Sequence, residues 1–357
     1  MKRVFQSLIL CSAAACSSTP ANNTNDMGST PDLTSAALPA QKLKQTNLTA
    51  DVSGGAHVDA KLLNPWGLAF NPSGPAWVAD NHAGVATVYD STGTALPLTV
   101  TVAPASGAGM GAPTGQIFNG TAGNFMGDKF IFSTEDGTIA GWQSGTATTL
   151  RADKSAGGAI YKGLVALTKG AATRLYAADF HNGKVDVFDS SYASVALTNG
   201  FVDAQIPAGF APFNVNAIDG QLYVAYAKQD GSAEDDVKGA GNGYVDIFDF
   251  DGKLVSRFAS AGVLNSPWQV VKAPADFGAL SGLILVGNFG DGAINAFDST
   301  GTVKAKVTDA SGAPLLIDGL WALVFGPDTA GQAHNQLFFT AGPAGESHGL
   351  YGRLELP

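Results

Sequence analysis

One short passage is written six times along this chain, and that repetition narrows the fold more than any other feature. VADNHAGVATVYDSTG (78–93) returns as AADFHNGKVDVFDSS (177–191) and VGNFGDGAINAFDSTG (286–301). Weaker copies stand at STEDGTIAGW (133–142), GNGYVDIFDFDG (241–252) and ESHGLYGRLEL (346–356). Aligned on Gly84, Gly137, Gly183, Gly243, Gly292 and Gly349, successive copies lie 46 to 60 residues apart. That is the period of propeller blades with some loop growth.

Every unit has the same internal order. An apolar segment follows a Pro, Gly or Trp signal, as in NPWGLAF (64–70) and SPWQVVK (266–272). A second segment rich in β-branched and aromatic residues comes next, as in AWVAD (76–80) and LILVGN (283–288). The glycine then opens a third segment that alternates with period two, Val85, Thr87 and Tyr89 on one face and Ala86 and Val88 on the other. A fourth segment closes most units: ALPLTVTV, TATTLRA, SVALT, KLVSRFA and VKAKVTD. The sixth unit stops after its third segment, and KQTNLTAD (44–51) at the other end can supply the missing strand, leaving no open edge between first and last units. The expected fold is all-β, a six-bladed β-propeller with its N-terminal strand closing the last blade. An open sandwich array explains neither the phasing nor the permuted ends. The glycine is expected to supply positive φ in a tight hairpin in all six copies. The aspartates of YDSTG, FDSS, FDFDG and FDSTG are expected to make side-chain-to-backbone turn bonds, since FDFDGK lacks the ligand spacing of a calcium loop.

The expected domains are a signal peptide at 1–15, a tether at 16–44 and the propeller at 45–357. MKRVFQSLILCSAAA places Lys2 and Arg3 before a short apolar run ending in small residues, the layout of a secretory signal. Ala13-Ala14-Ala15-Cys16-Ser17 is similar to a bacterial lipobox, which makes Cys16 the lipidation site. Residues 17 to 44 are rich in Ser, Thr, Pro and Asn and too poor in large apolar groups to build a core. The expected location is therefore outside the cytoplasm, on the periplasmic face or the surface of the outer membrane through the Cys16 lipid, or otherwise secreted. Both cysteines lie in this leader, so no disulfide framework is expected. Net charge of −10 with 14% charged residues disfavours nucleic acid as a partner, and contact with a membrane is expected through the lipid alone.

In a propeller the turns between second and third strands share one face with the starts of the first strands, around the mouth of the central channel. That geometry gathers His82, Glu135, Asp136, His181, Asn182, Asp291, Glu346 and His348 from the turns. It adds Trp66, Thr114, Gln116, Lys162, Asn214, Asn216, Trp268, Gln269 and Trp321 from the strand starts. His82, His181 and His348 are the candidate ligands of a divalent metal, Ca or Zn. Trp66, Glu135, Asp179, Asn182, Asn214, Asn216, Gln269, Asn288 and Trp321 are the candidates for binding at the mouth. No HExxH, CxxC, GxSxG or phosphate-cradling glycine pattern accompanies them, and no catalytic residue is assigned. The insertion KQDGSAEDDVKGAGNG (228–243) is expected to overhang the mouth, with its four acidic residues as a possible calcium loop.

TNLTAD, LLNPWGLAFNPSGPAWVADNHAGVATVYDSTG, SPWQVV, GLILVGNFGDGAINAFD and DGLWALVFG together resemble an uncharacterised group of secreted bacterial NHL-like propellers, some of which carry PEP-CTERM sorting tags. The resemblance spans about residues 45 to 357 and implies a propeller without a settled biochemical role. By architecture it extends to gluconolactonase-type lactonases and peptide-amidating lyases. The lactonase pattern implies ion ligation by Asn214, Asn216 and Asn288 but lacks its glutamate here. The reading is a binding module for an envelope protein, a glycan or a small molecule. A metal-dependent hydrolase, lactonase or lyase at the mouth is the alternative.

Overall fold

The computed structural model describes residues 39–357 apart from 73, 107, 108 and 199. The signal peptide, Cys16 and the tether as far as residue 38 lie outside the described residues. The rest forms six sheets in a ring, each built on an antiparallel core of three or four strands and numbered here as a blade in chain order. Their innermost strands are Pro65–Phe70, Pro113–Phe118, Tyr161–Lys169, Phe210–Ile218, Pro267–Lys272 and Leu320–Phe325. Blades pack face to face, so both sides of a middle strand are covered. Val85–Tyr89 is buried at every position although it alternates in sequence.

The ring closes as expected. Lys44–Ala50 is the fourth strand of blade six, antiparallel to Leu350–Glu355, and the short strand His57–Val58 pairs parallel to its outer side. The closure also reaches further upstream than residue 45. Ala40–Lys42, expected in the tether, runs parallel to Val303–Thr308 as a fifth strand of blade five. Between the two strands Leu43 is fully buried in the core shared by blades five and six. One stretch of chain thus stitches the last two blades together.

Three expectations change. Among the described residues blade three has no fourth strand: SVALT touches the sheet through a single bridge, Phe188 to Ser194, and then leaves it. The repeat glycine serves two different ends. Gly84, Gly137, Gly183 and Gly292 have the expected positive φ, but Gly243 and Gly349 do not. A Cβ on Gly243 would collide with Pro267, and one on Gly349 with the Leu62 carbonyl, so there the requirement is space. Finally, all six innermost strands begin with a register shift, between Pro65 and Leu68, Pro113 and Gln116, Tyr161 and Gly163, Pro212 and Asn214, Pro267 and Gln269, and Leu320 and Leu323. A bulge at this point re-aims the side chains at the end of the channel.

The turn aspartates behave as their sequence suggests. Asp298 accepts from the Thr300 hydroxyl at 2.6 Å and from the Thr300 and Thr302 amides. Asp189 and Asp309 do the same with Ser191 and Ser311. The hydroxyl and amide donors hold all three carboxyls below the ordinary carboxylate value. A depressed pKa adds stability above the unfolded value, about 4, and loses it as pH falls through the lower folded value. The thermal midpoint should therefore fall as pH drops below about 4, and Asp298→Asn should make that fall shallower. An unchanged acid slope in the variant would contradict the turn role.

Candidate functional site

The bulged starts of the innermost strands turn aromatic side chains onto the propeller axis. Trp321 of blade six stacks on Trp66 of blade one at 3.6 Å and on Phe289 of blade five at 3.9 Å. Trp268 meets Trp321 edge-on at 5.6 Å, and Phe213 lies 5.9 Å from it. Several contacts join blades that are not neighbours in the ring: Trp66 with Trp268, Phe213 with Trp321, and the Trp268 indole N–H donating to the Lys162 carbonyl at 2.9 Å. Such contacts require a position near the axis. Trp66, Trp268, Trp321, Phe213 and Phe289 are all buried, and they form a plug at the mouth.

A polar collar lies around the plug. Lys162 is 2% exposed, and its Nζ donates to Glu135 of blade two at 2.5 Å and to Asp235 of the blade-four insertion at 3.1 Å. Burial alone would lower its pKa, but the two carboxylates outweigh burial and hold the ammonium above the ordinary lysine value. Lys162 thus ties Glu135 of blade two to Asp235 of the blade-four insertion. Asn81 donates to the other oxygen of Glu135 at 2.9 Å. Next to Asn81, whose amide donates to the Asn64 carbonyl at 3.1 Å, the Asn64 side chain accepts from the Trp321 indole at 3.2 Å and donates to Glu346 at 2.9 Å, with His82 Nε2 3.3 Å away. Burial pushes the carboxyls of Glu346 and Asp236 up. The insertion covers the mouth as expected, with Asp235 on Lys162 and the Lys238 ammonium 3.9 Å from the Phe289 ring centre.

The open space lies on the other side of the plug. A cavity of about 390 Å³ runs between the innermost strands of all six blades. It reaches the opposite face beside Asp219 and Lys272, an ion pair at 2.6 Å. Its walls are apolar, with Leu68, Ile117, Val270 and Leu323 among them, and four carboxamides interrupt them: Gln116, Asn214, Asn216 and Gln269. Gln269 donates to Asn216 Oδ1 at 2.6 Å, and Gln116 Nε2 donates to the Trp77 carbonyl at 2.9 Å. The Gln116 carbonyl oxygen is buried and has no partner among the described residues.

The candidates thus separate into groups. Asn214, Asn216 and Gln269 come together, in the channel and not at the mouth. Trp66 and Trp321 form the plug, and Glu135 anchors Lys162. Asp179 and Asn182 bond each other at 2.9 Å and close their own hairpin. Asn288 likewise donates to the Val263 carbonyl and to Asp291, so it does not join Asn214 and Asn216 as ion ligands. The three histidines do not converge either. His82 is exposed beside Asn64, His181 packs near Gly158, and His348 Nδ1 pairs with Asp51 at 2.8 Å. Among the described residues no three His, Cys, Asp or Glu side chains form a metal-binding group, the acidic insertion included. The physical reason is radial: each histidine sits in the turn of a different blade, and those turns are spread around a rim that the plug and collar fill. Asn64, Phe213 and Phe289 escaped the sequence reading because their importance lies in contacts across the axis.

No protein-family model matches the chain. The uncharacterized protein R648 of Acanthamoeba polyphaga mimivirus is 36% identical over 317 residues, which is 84% of this chain and 76% of that protein. The uncharacterized protein L690 of the same virus is 33% identical over 318 residues, 84% of this chain and 82% of that protein. Among solved structures, catalytically inactive virginiamycin B lyase from Staphylococcus aureus with quinupristin aligns over 88% of this chain and 99% of its own, with a TM-score of 0.53 and 13% identity. At that identity the likeness establishes the propeller fold alone. By sequence, the chain belongs to the family of the mimivirus proteins R648 and L690.

Proposed function

We propose that this propeller is the binding module of an exported lipoprotein, tethered through Cys16, and that its channel holds a small, neutral, hydrogen-bonding ligand such as a glycan end or an amide. The observation that carries this reading is the set of four carboxamides, Gln116, Asn214, Asn216 and Gln269, that interrupt the apolar wall of a cavity of about 390 Å³. Carboxamides present both donors and acceptors, which match the hydroxyl and amide groups of a neutral polar ligand. The volume lies in the range of small-molecule sites, about 300 to 1,000 Å³. Among the described residues that line the channel, the titratable side chains are the Asp219–Lys272 pair at the opening, so the lining offers chiefly hydrogen bonds and contact area. That composition supports binding over turnover.

The test is a titration of the purified chain with neutral mono- and disaccharides and dipeptide amides, followed by ligand-observed NMR. At least one class should bind, and Gln116→Leu should weaken it by about fivefold to tenfold, the value of one hydrogen bond. Binding that ignores both Gln116→Leu and Asn216→Leu, or no binding across the panel, would reject the channel as the site. Metabolic labelling with a fatty acid, lost in Cys16→Ser, tests the anchor separately.

A further inference from the structure

Blade three carries an unfinished sheet. Its third strand, Lys184–Asp189, pairs inward with Ala172–Asp179 over its whole length. On the outer side Val195 donates to the Val187 carbonyl at 2.8 Å and Asp189 donates to the Ala193 carbonyl at 2.9 Å. Residues 187 and 189 therefore point their backbone groups outward, and by alternation so does Val185, while 184, 186 and 188 bond inward. The Val187 N–H and both backbone groups of Val185 have no hydrogen-bond partner among the described residues. In blade one the corresponding edge is filled, with Val85, Ala86 and Thr87 paired to Thr101, Val100 and Thr99.

The chain leaves this edge because the next residues are drawn elsewhere. Leu197 and Phe201 pack into the core between blades three and four, and the Phe201 amide donates to Gly252 of blade four at 2.7 Å. A groove of about 340 Å³ remains between the edge and the departing segment. Lys184–Phe188 lines one side, and Ser194–Leu197, Gly200 and Phe201 line the other. Lys154 stands in the same groove with no carboxylate partner among the described residues, whereas Lys184 is paired with Asp186 at 2.8 Å.

We propose that the open edge of blade three docks an extended peptide of a partner protein as its fourth strand, with an acidic side chain of that peptide received by Lys154. Unpaired, outward-facing backbone groups are satisfied best by another backbone, the basis of recognition by strand addition. In a chain of net charge −10, a free lysine in the groove sets the charge of the strand it favours. This surface is separate from the channel, so it stands or falls independently of the ligand reading.

Hydrogen exchange of the full chain tests it, with an acetylated peptide of alternating threonine and valine ending in two glutamates as the probe. Without the peptide, the Val185 and Val187 amides should exchange at least tenfold faster than that of Ala86 in blade one, and saturating peptide should slow them by at least tenfold. Val187→Pro removes an outward N–H while leaving the inward ladder of 184, 186 and 188 in place; because the Val187 side chain is buried in the core beside blade four it should also lower the thermal midpoint, so exchange is compared well below the variant's transition, where peptide protection of Val185 should be abolished. Lys154→Glu should weaken the acidic probe by about tenfold and favour a lysine-ended counterpart. Two results would overturn the proposal. One is slow exchange at Val185 and Val187 in the free protein, meaning that 194–198 fills the edge itself. The other is no protection at saturating peptide, or protection that survives Val187→Pro.

Discussion

A chain lacking residues 1–50 is expected to lose its cooperative thermal transition altogether. The closing strand Lys44–Ala50 supplies the fourth strand of blade six and the buried side chains Leu48, Thr49 and Ala50. Thr49 also ties blade six to blade one by donating to the Gly93 carbonyl at 2.6 Å, and Leu43 fills the core behind blade five. Burying one leucine contributes roughly 1.5 to 3 kcal/mol, and a domain of this kind is stable by about 5 to 15 kcal/mol in total. Loss of two leucines, a ladder of backbone bonds and the stitch between blades is comparable with that whole margin. Circular dichroism on heating is the measurement, and a peptide covering 39–51 added in trans should restore the transition. Leu48→Ala alone should cost about 2 to 5 kcal/mol. A shortened chain that melts within a few degrees of the full one would mean the closure is incidental.

Trp321→Ala should be the most damaging single substitution at the mouth, destabilising by about 3 to 5 kcal/mol in denaturant unfolding. The indole is 1% exposed and is sandwiched between Trp66 and Phe289. Its loss removes contact area from four blades at once, and it strips Asn64 of the donor that fixes its orientation toward Glu346 and His82. The plug also separates the channel from the mouth, so the variant should admit ligands to the cavity from both faces and raise their association rate. Trp321→Phe keeps a stacking ring and should lose markedly less. A loss below about 1 kcal/mol for the alanine variant would show that the axial stack is not a stability element.

Much of the architecture was legible because its causes are local and repeated. Period-two patterning, the glycine punctuation and the Asp-Ser-Thr-Gly turns each act within a few residues, and six copies reinforce the reading. Even the closure could be seen, because a unit short of a strand at one end matched a spare strand at the other. Blade three defeats the same logic. Ser194–Thr198 alternates like its counterparts, but Leu197 and Phe201 gain more by covering the core beside blade four than by pairing with the edge.

The candidate site was legible only in part, because its contacts are not local. Lys162 stands out in YKGLVAL as a lone cation in an apolar strand, but its two carboxylate partners lie 27 and 73 residues away in other blades. Asp179 and Asn288 look in sequence like residues aimed at a common centre, and each is instead consumed by its own hairpin.

The number of blades, the order of strands within them, the positive-φ turns at Gly84, Gly137, Gly183 and Gly292 and the joining of Lys44–Ala50 to the last blade follow from patterns a few residues long and their repetition. Where the space lies is set by packing across the axis. The six bulges that bring Trp66, Trp268 and Trp321 together, the sealed mouth, the carboxamide channel behind it and the open edge of blade three all depend on how residues from different blades meet around one axis, and no local pattern encodes those distances.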